Sequence, residues 1–137
     1  MIITPNFQYN GECKKALMLY EKAFKCKVTM LIYYSDADPS DLERELTEKE
    51  KEYVYHAEMF IGNQRFFFSD LLEGVTFGSN SFITVTFNNK EELKEAYSLL
   101  IDGGYAIIPL KETTYSSCTA SIVDRYGVRW GLLLEDK

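Results

Sequence analysis

The chain has little of several residue types that small proteins use for chemistry or for cross-links. It contains one histidine, three cysteines and three prolines in 137 residues. Cys13, Cys26 and Cys118 are odd in number, widely spaced and in no CxxC pair, so the sequence predicts neither a disulfide framework nor a zinc finger. A divalent transition metal usually takes three or four imidazole, carboxylate or thiolate ligands. With one imidazole available, we predict no metal and no other cofactor.

Basic side chains are also in deficit. There are 15 Lys and Arg against 21 Asp and Glu, which gives a formal net charge of -6. This charge repels phosphate backbones and anionic lipid headgroups, so we expect neither nucleic acid nor a membrane as a partner. The opening MIITPNFQYNGE lacks the basic and apolar regions of a signal peptide, and no run is long enough to span a bilayer. Together with the unpaired cysteines, this predicts a cytoplasmic protein.

The chain is rich in apolar and aromatic residues. Hydrophobic residues make up 46% of it and aromatic residues 15%, which indicates a globular protein with a large core or an aromatic-lined pocket. The length is that of one domain, residues 1–137. An enzyme, a binding protein and a structural dimer all remain open on composition alone.

The order of predicted elements repeats. Each half is predicted to be β-α-β-β-β, with module one at about residues 1–72 and module two at about 80–137. In module one, Asn10 is the predicted cap of a helix that runs from Cys13 to about Lys25. Tyr20 precedes Gly62 by 42 residues, whereas Tyr97 precedes Gly127 by 30. The surplus corresponds to the acidic segment 36–52, which we interpret as a solvated surface with a short helix from Pro39, or as a lid.

One hairpin carries the candidate site. A tight turn at Gly62 and Asn63 places alternate residues of the strands YVYHAEMFI and QRFFFS on opposite faces. One face is predicted to pack on the helix; it carries Ala57, Met59, Ile61, Phe66 and Phe68. The other carries His56, Glu58, Phe60, Arg65, Phe67 and Ser69. Aromatic area beside a few polar groups is typical of a small-molecule site, although a solvent-facing sheet surface would have the same pattern.

Three stretches resemble one superfamily of proteins. They are the helix CKKALMLYEKAF, the hairpin HAEMFIGNQRFFFSD and the closing DRYGVRWGLLLED. Together with the repeated module they look like the vicinal oxygen chelate superfamily of glyoxalases, bleomycin-resistance proteins and ring-cleaving dioxygenases. They are most similar to its PhnB-like branch, which often bears the name 3-demethylubiquinone-9 3-methyltransferase. The resemblance implies an α+β fold of two tandem modules, a curled mixed sheet with a concave cleft, and a homodimer.

The resemblance also implies a divalent metal, held by His, Gln and Glu at the ends of the first and last strands of each module. This chain departs from that pattern, because the opening strand offers Asn6 and Gln8, and the late glutamate position falls near Gly131. The methyltransferase name has no support either: Gly103 and Gly104 come after a predicted helix and before a strand, unlike a nucleotide-binding loop.

These observations predict a small-molecule-binding protein without a metal. The predicted ligand contacts are Phe60, Arg65, Phe67, Ser69 and Trp130. The alternative is a lyase or isomerase in which His56 or Glu58 moves a proton, with or without a weakly held metal. A third reading is a structural dimer whose cleft is filled by its own aromatic side chains.

Overall fold

The computed structural model describes residues 1–137 and divides them into two compact units, Met1–Thr76 and Phe77–Lys137. Each unit contains one four-stranded sheet and one α-helix. The predicted module limits of about 72 and 80 fall on either side of the boundary between the units. That the two modules make one domain with a shared cleft stays a prediction.

The first unit follows the predicted order of elements. Its strands and helix are β1 (Asn6–Tyr9), α1 (Cys13–Phe24), β2 (Val28–Tyr33), β3 (Val54–Ile61) and β4 (Gln64–Asp70). The strand order is β1-β4-β3-β2, in which β1 is parallel to β4 and the other pairs are antiparallel. The acidic segment between β2 and β3 contains only single 3-10 turns, at Tyr34–Asp36, Pro39–Asp41 and Glu50–Glu52. The predicted surface helix is therefore reduced to isolated turns.

The second unit repeats the arrangement with β5 (Ile83–Phe87), α2 (Lys90–Leu100), β6 (Tyr105–Thr113), β7 (Ser116–Val123) and β8 (Arg129–Leu134). Its order is β5-β8-β7-β6, again with the first strand parallel to the last. Asn89 caps α2 by accepting a hydrogen bond from the Glu92 amide. The two β-α-β-β-β modules and the α+β class are confirmed.

The N-terminus of α1 corrects one prediction. Glu12 occupies the cap position without a side-chain hydrogen bond, and the Asn10 side chain instead accepts from the Val75 amide. The cap comes from Asp70 at the end of β4, whose Oδ1 accepts from the amides of Gly11 (2.8 Å) and Cys13 (3.0 Å). A carboxylate from another element thus satisfies amides that the helix leaves unpaired.

Candidate functional site

The β3–β4 hairpin has the predicted register. Ile61 pairs with Gln64, Phe60 with Arg65 and Glu58 with Phe67, because Gly62 supplies the left-handed turn conformation at φ +60°. The predicted packing face is buried throughout; its members are Ala57, Met59, Ile61, Phe66 and Phe68. The other face is therefore turned away from the core.

The outward face gathers three polar side chains around one aromatic ring. The Phe67 ring has the His56 imidazole edge-on at 4.8 Å between centroids, and the Arg65 guanidinium lies over it with Cζ 5.0 Å from the ring centroid. Glu58 joins the two polar groups. His56 Nε2 donates to Glu58 Oε2 at 2.8 Å, while Arg65 Nη1 lies 3.9 Å from Glu58 Oε1. Four of the six residues predicted on this face thus form one connected cluster.

The remaining two predicted residues on this face flank the cluster. Phe60 pairs with Arg65 and is 45% exposed. Ser69 is partly exposed and pairs with Gln8 on the parallel strand β1. Phe60 therefore extends the aromatic surface at the turn end of the hairpin, and Ser69 adds a hydroxyl near its other end. Their roles as ligand contacts stay predictions.

Trp130, which was predicted as a ligand contact, lies in the core of the second unit. Its side chain is fully buried, and its indole Nε1 donates to Asp124 Oδ2 at 3.0 Å. On β8 it pairs with Ile122 and Ile83, on the face opposite to that of Gly131. A large aromatic residue on a core face fills volume there, so its ring is not available to stack on a ligand.

Sequence reasoning missed a pocket in the second unit. It has a volume of about 330 Å³ and is lined in part by Phe82, Thr84, Lys111, Tyr115, Ser121 and Gly131. Thr84, Gly131 and Ser121 are neighbours across β5, β8 and β7. The absence of a side chain at Gly131 keeps this space open, since a Cβ there would lie 2.7 Å from Thr84 Oγ1. The signal was present in the small, hydroxyl-bearing residues of SSCTAS and in the glycine within β8.

Candidate metal donors are scattered. Within the chain, no three side chains among His, Cys, Asp and Glu come together as a possible cation site. The late metal-binding glutamate that the resemblance implies falls near Gly131, which has no side chain. The neighbours of Gly131 on the adjacent strands are Thr84 and Ser121, which carry hydroxyl groups. In the hairpin cluster, Glu58 already contacts His56 and Arg65.

Comparison with known proteins places the chain in a family. The family model described as 3-demethylubiquinone-9 3-methyltransferase matches residues 1–133. The chain belongs to this family, within the PhnB-like branch of the vicinal oxygen chelate superfamily. The resemblance drawn from the three sequence stretches is confirmed. No curated protein matches the chain.

Solved structures of this superfamily have the same fold as this chain. Protein PA1353 from Pseudomonas aeruginosa aligns with a TM-score of 0.86 and 22% identity over 100% of this chain and 99% of the other. A putative 3-demethylubiquinone-9 3-methyltransferase, PhnB protein, from Bacillus cereus gives 0.80 and 23% over 98% and 99%. A glyoxylase/bleomycin resistance protein/dioxygenase domain from Frankia sp. EAN1pec gives 0.68 and 10% over 100% and 93%. Neither helix of the family member has the length and apolar character to cross a membrane.

Proposed function

We propose that this family member binds a small aromatic or amphipathic molecule on the outward face of the β3–β4 hairpin, without a metal ion. The observation that carries the proposal is the Phe67 ring held between His56 and Arg65, with Glu58 bonded to His56. The polar groups of this cluster hold one another in fixed orientations. A ligand that meets pre-oriented groups loses less conformational entropy on binding.

The cluster keeps polar capacity for a ligand. The side chains of His56 and Arg65 are 32% and 37% exposed, whereas that of Glu58 is 19% exposed. Arg65 has five N–H donors, and its one ion-pair contact, at 3.9 Å, is longer than a hydrogen bond. The free donors favour a ligand with a carboxylate or carbonyl group, while Phe60 and Phe67 offer apolar area. The proposed ligand is therefore an aromatic molecule with an acceptor group.

Two arguments support binding without a metal. A transition metal would need a third and fourth ligand beside His56 and Glu58, and no other imidazole, carboxylate or thiolate groups with them. The Arg65 guanidinium next to Glu58 would also repel a cation. We propose no step that passes through a metal.

The second candidate function is proton transfer. His56 Nε2 and Glu58 Oε2 are 2.8 Å apart, within the distance at which a carboxylate orients an imidazole as a general base. A lyase or isomerase could use this pair on the same ligand. Methyl transfer, which the family description names, has no comparable support, because Gly103 and Gly104 follow α2 and precede β6 where a nucleotide-binding loop would follow a strand.

We further propose that the protein acts as a homodimer in the cytoplasm. The three cysteines are free thiols, as is usual in a reducing compartment. The edge strand β6 exposes Ile107 and Ile108, at 41% and 45%, and exposed apolar side chains on an edge strand favour association.

Calorimetric titration with indole-3-acetate and benzoate tests the binding proposal. We expect saturable binding that His56→Ala and Glu58→Gln each weaken by about tenfold, which is the loss of a charge-assisted contact. Glu43→Gln removes one charge from the exposed acidic segment and is the matched control, so its affinity should equal that of the wild type.

Proton NMR of the same mixtures separates the two candidate functions. A binding protein leaves the probes unchanged, whereas an enzyme forms a product that Glu58→Gln abolishes while binding survives. The proposal fails if neither probe binds and Phe67→Ala lowers the free energy of unfolding by about 3 kcal/mol, because the ring would then serve the core.

A further inference from the structure

The second unit contains a pocket of about 200 Å³ that is separate from the hairpin cluster of the first unit. It lies where the segment after α2 meets the β7–β8 turn. Its lining includes Phe77, Gly103, Tyr105, Arg125, Gly127 and Arg129. Two arginines in so small a space, in a chain with a net charge of -6, need an explanation.

The two guanidinium groups have no carboxylate partner. Arg129 Nε is buried and has no hydrogen-bond partner, which is a costly state for a charged donor. Arg125 is exposed, and its Cζ lies 6.0 Å from the centroid of the Tyr126 ring. By contrast, Arg44 is paired with Glu50 and Lys137 with Glu112.

The one acidic side chain in the pocket wall is already committed elsewhere. Asp124 Oδ1 accepts from the amides of Tyr126 (2.9 Å) and Val128 (3.1 Å), and Oδ2 accepts from the Trp130 indole at 3.0 Å. These donors hold the carboxylate against the turn and the core. The positive charge of the arginine pair is therefore not neutralised by a direct ion pair.

Glycines set the position of Arg125. A Cβ on Gly103 would lie 2.8 Å from Arg125 Nε and 2.9 Å from its Cζ, so the guanidinium lies directly on the glycine backbone. Gly104 allows its main chain to approach that of Val123, since a Cβ on residue 104 would clash with the Val123 carbonyl oxygen. Val123 is in turn the strand partner of both Tyr105 and Arg129. These contacts bring both arginines to one pocket.

We propose that this pocket is a binding site for a phosphate group, either as inorganic phosphate or carried by a small metabolite. The planar guanidinium fork matches the oxygens of a phosphate, and a bound oxygen would satisfy the buried Arg129 Nε. The volume admits a phosphate with a small substituent, and the exposed rings of Phe77 and Tyr105 provide apolar contact for that substituent. The site is independent of the ligand proposed for the hairpin cluster.

The test is NMR titration of the full chain with inorganic phosphate and with phenyl phosphate, at constant ionic strength. We expect saturable amide shifts confined to residues 103–105 and 123–129. Arg125→Gln and Arg129→Gln should each weaken binding by about tenfold or more. Lys94→Gln, which removes one positive charge from an exposed position of α2, should bind phosphate like the wild type. Tighter binding of phenyl phosphate would identify the organic ester as the preferred source.

Three results would overturn the proposal. They are equal shifts with sodium chloride, shifts centred on other residues, and unchanged affinity in both arginine variants. Arg129 is partly buried, and its Gln variant could lose structure; in that case Arg125→Gln alone decides, because Arg125 is exposed.

Discussion

Two buried aspartates, one in each unit, bind backbone and side-chain N–H groups that would otherwise be unpaired. Asp70 accepts from the amides of Gly11, Cys13 and Val54, and so joins α1, β3 and β4. Asp124 accepts from two amides of its turn and from the Trp130 indole. Burial raises the pKa of Asp70 above its ordinary value, although the three amide donors oppose that shift. The carboxylate therefore combines a desolvation cost with strong hydrogen bonds.

Substitution of Asp70 should reveal both effects. We expect Asp70→Ala to lower the free energy of unfolding by about 3 kcal/mol, because it leaves buried amides without an acceptor. Asp70→Asn should cost less, about 1–2 kcal/mol, since it keeps one carbonyl oxygen and carries no charge to desolvate. Urea unfolding at pH 7 measures both values.

Asp36→Asn is the control for the Asp70 variants. Asp36 is exposed in the turn after β2, and its substitution removes the same charge without a buried contact. Its effect should stay within about 0.5 kcal/mol. Equal stabilities of Asp70→Ala and Asp36→Asn would mean that Asp70 is not the cap of α1.

At the scale of elements, local sequence signals were sufficient to predict the faces of the β3–β4 hairpin but not to predict the cap of α1. The turn at Gly62 and the alternation of side chains fix the faces of β3 and β4, so His56, Glu58, Arg65 and Phe67 could be grouped from sequence. The cap from Asp70 lies 57 residues from Cys13, and no local pattern joins them. Trp130 was misplaced because an aromatic residue suits a core and a pocket equally well, and only burial separates the two.

The acidic segment contains a bidentate ion pair that the sequence spacing did not indicate. Arg44 Nη1 and Nη2 donate to the two carboxylate oxygens of Glu50, and the Thr47 amide donates to the same group. These donors lower the pKa of Glu50 from its ordinary 4.5 to about 2, with the Arg44 hydrogen bonds as the largest cause. The interaction spans a loop, so the i,i+4 rule for helices does not find it.

The stabilisation from this pair should depend on pH. Because the folded pKa of Glu50 is below the unfolded value, the contribution is present above about pH 4.5 and is lost as the pH falls towards 2. We expect carbon-detected NMR to give an apparent pKa near 2 for the Glu50 carboxyl, and a value at least one unit higher in Arg44→Gln. The difference in melting temperature between the two proteins should shrink over the same range.

Lys49→Gln is the control for the pH prediction. It removes a neighbouring positive charge whose side chain does not bond to Glu50, so the Glu50 pKa should stay near 2. A wild-type Glu50 that titrates near 4.5 would mean that the Arg44 fork does not persist in solution.

At the scale of the whole molecule, the repeat of elements predicted the fold, whereas the sites depend on distances that no repeat contains. The two modules could be recognised from the repeated order of elements, the helix-to-turn spacings and the surplus at residues 36–52. The pockets of the second unit could not, because they depend on glycines that leave room, such as Gly131 beside Thr84 and Gly103 beside Arg125. A glycine in a sequence does not indicate which neighbour approaches it.

The proposal of a homodimer without a metal ion concerns the whole molecule, and native mass spectrometry tests it in one experiment. The untagged protein is measured as purified, after treatment with EDTA, and after addition of one equivalent of Zn²⁺ or Mn²⁺. We expect a species at twice the 15.9 kDa chain mass in all samples, with no stoichiometric metal, because His56 and Glu58 alone supply too few ligands. A dimer that retains one metal ion per chain at low micromolar concentration would overturn the metal-free proposal. In that case the missing ligands would have to come from side chains that the isolated chain does not bring together, and His56→Ala should then release the ion, whereas Glu43→Gln should not.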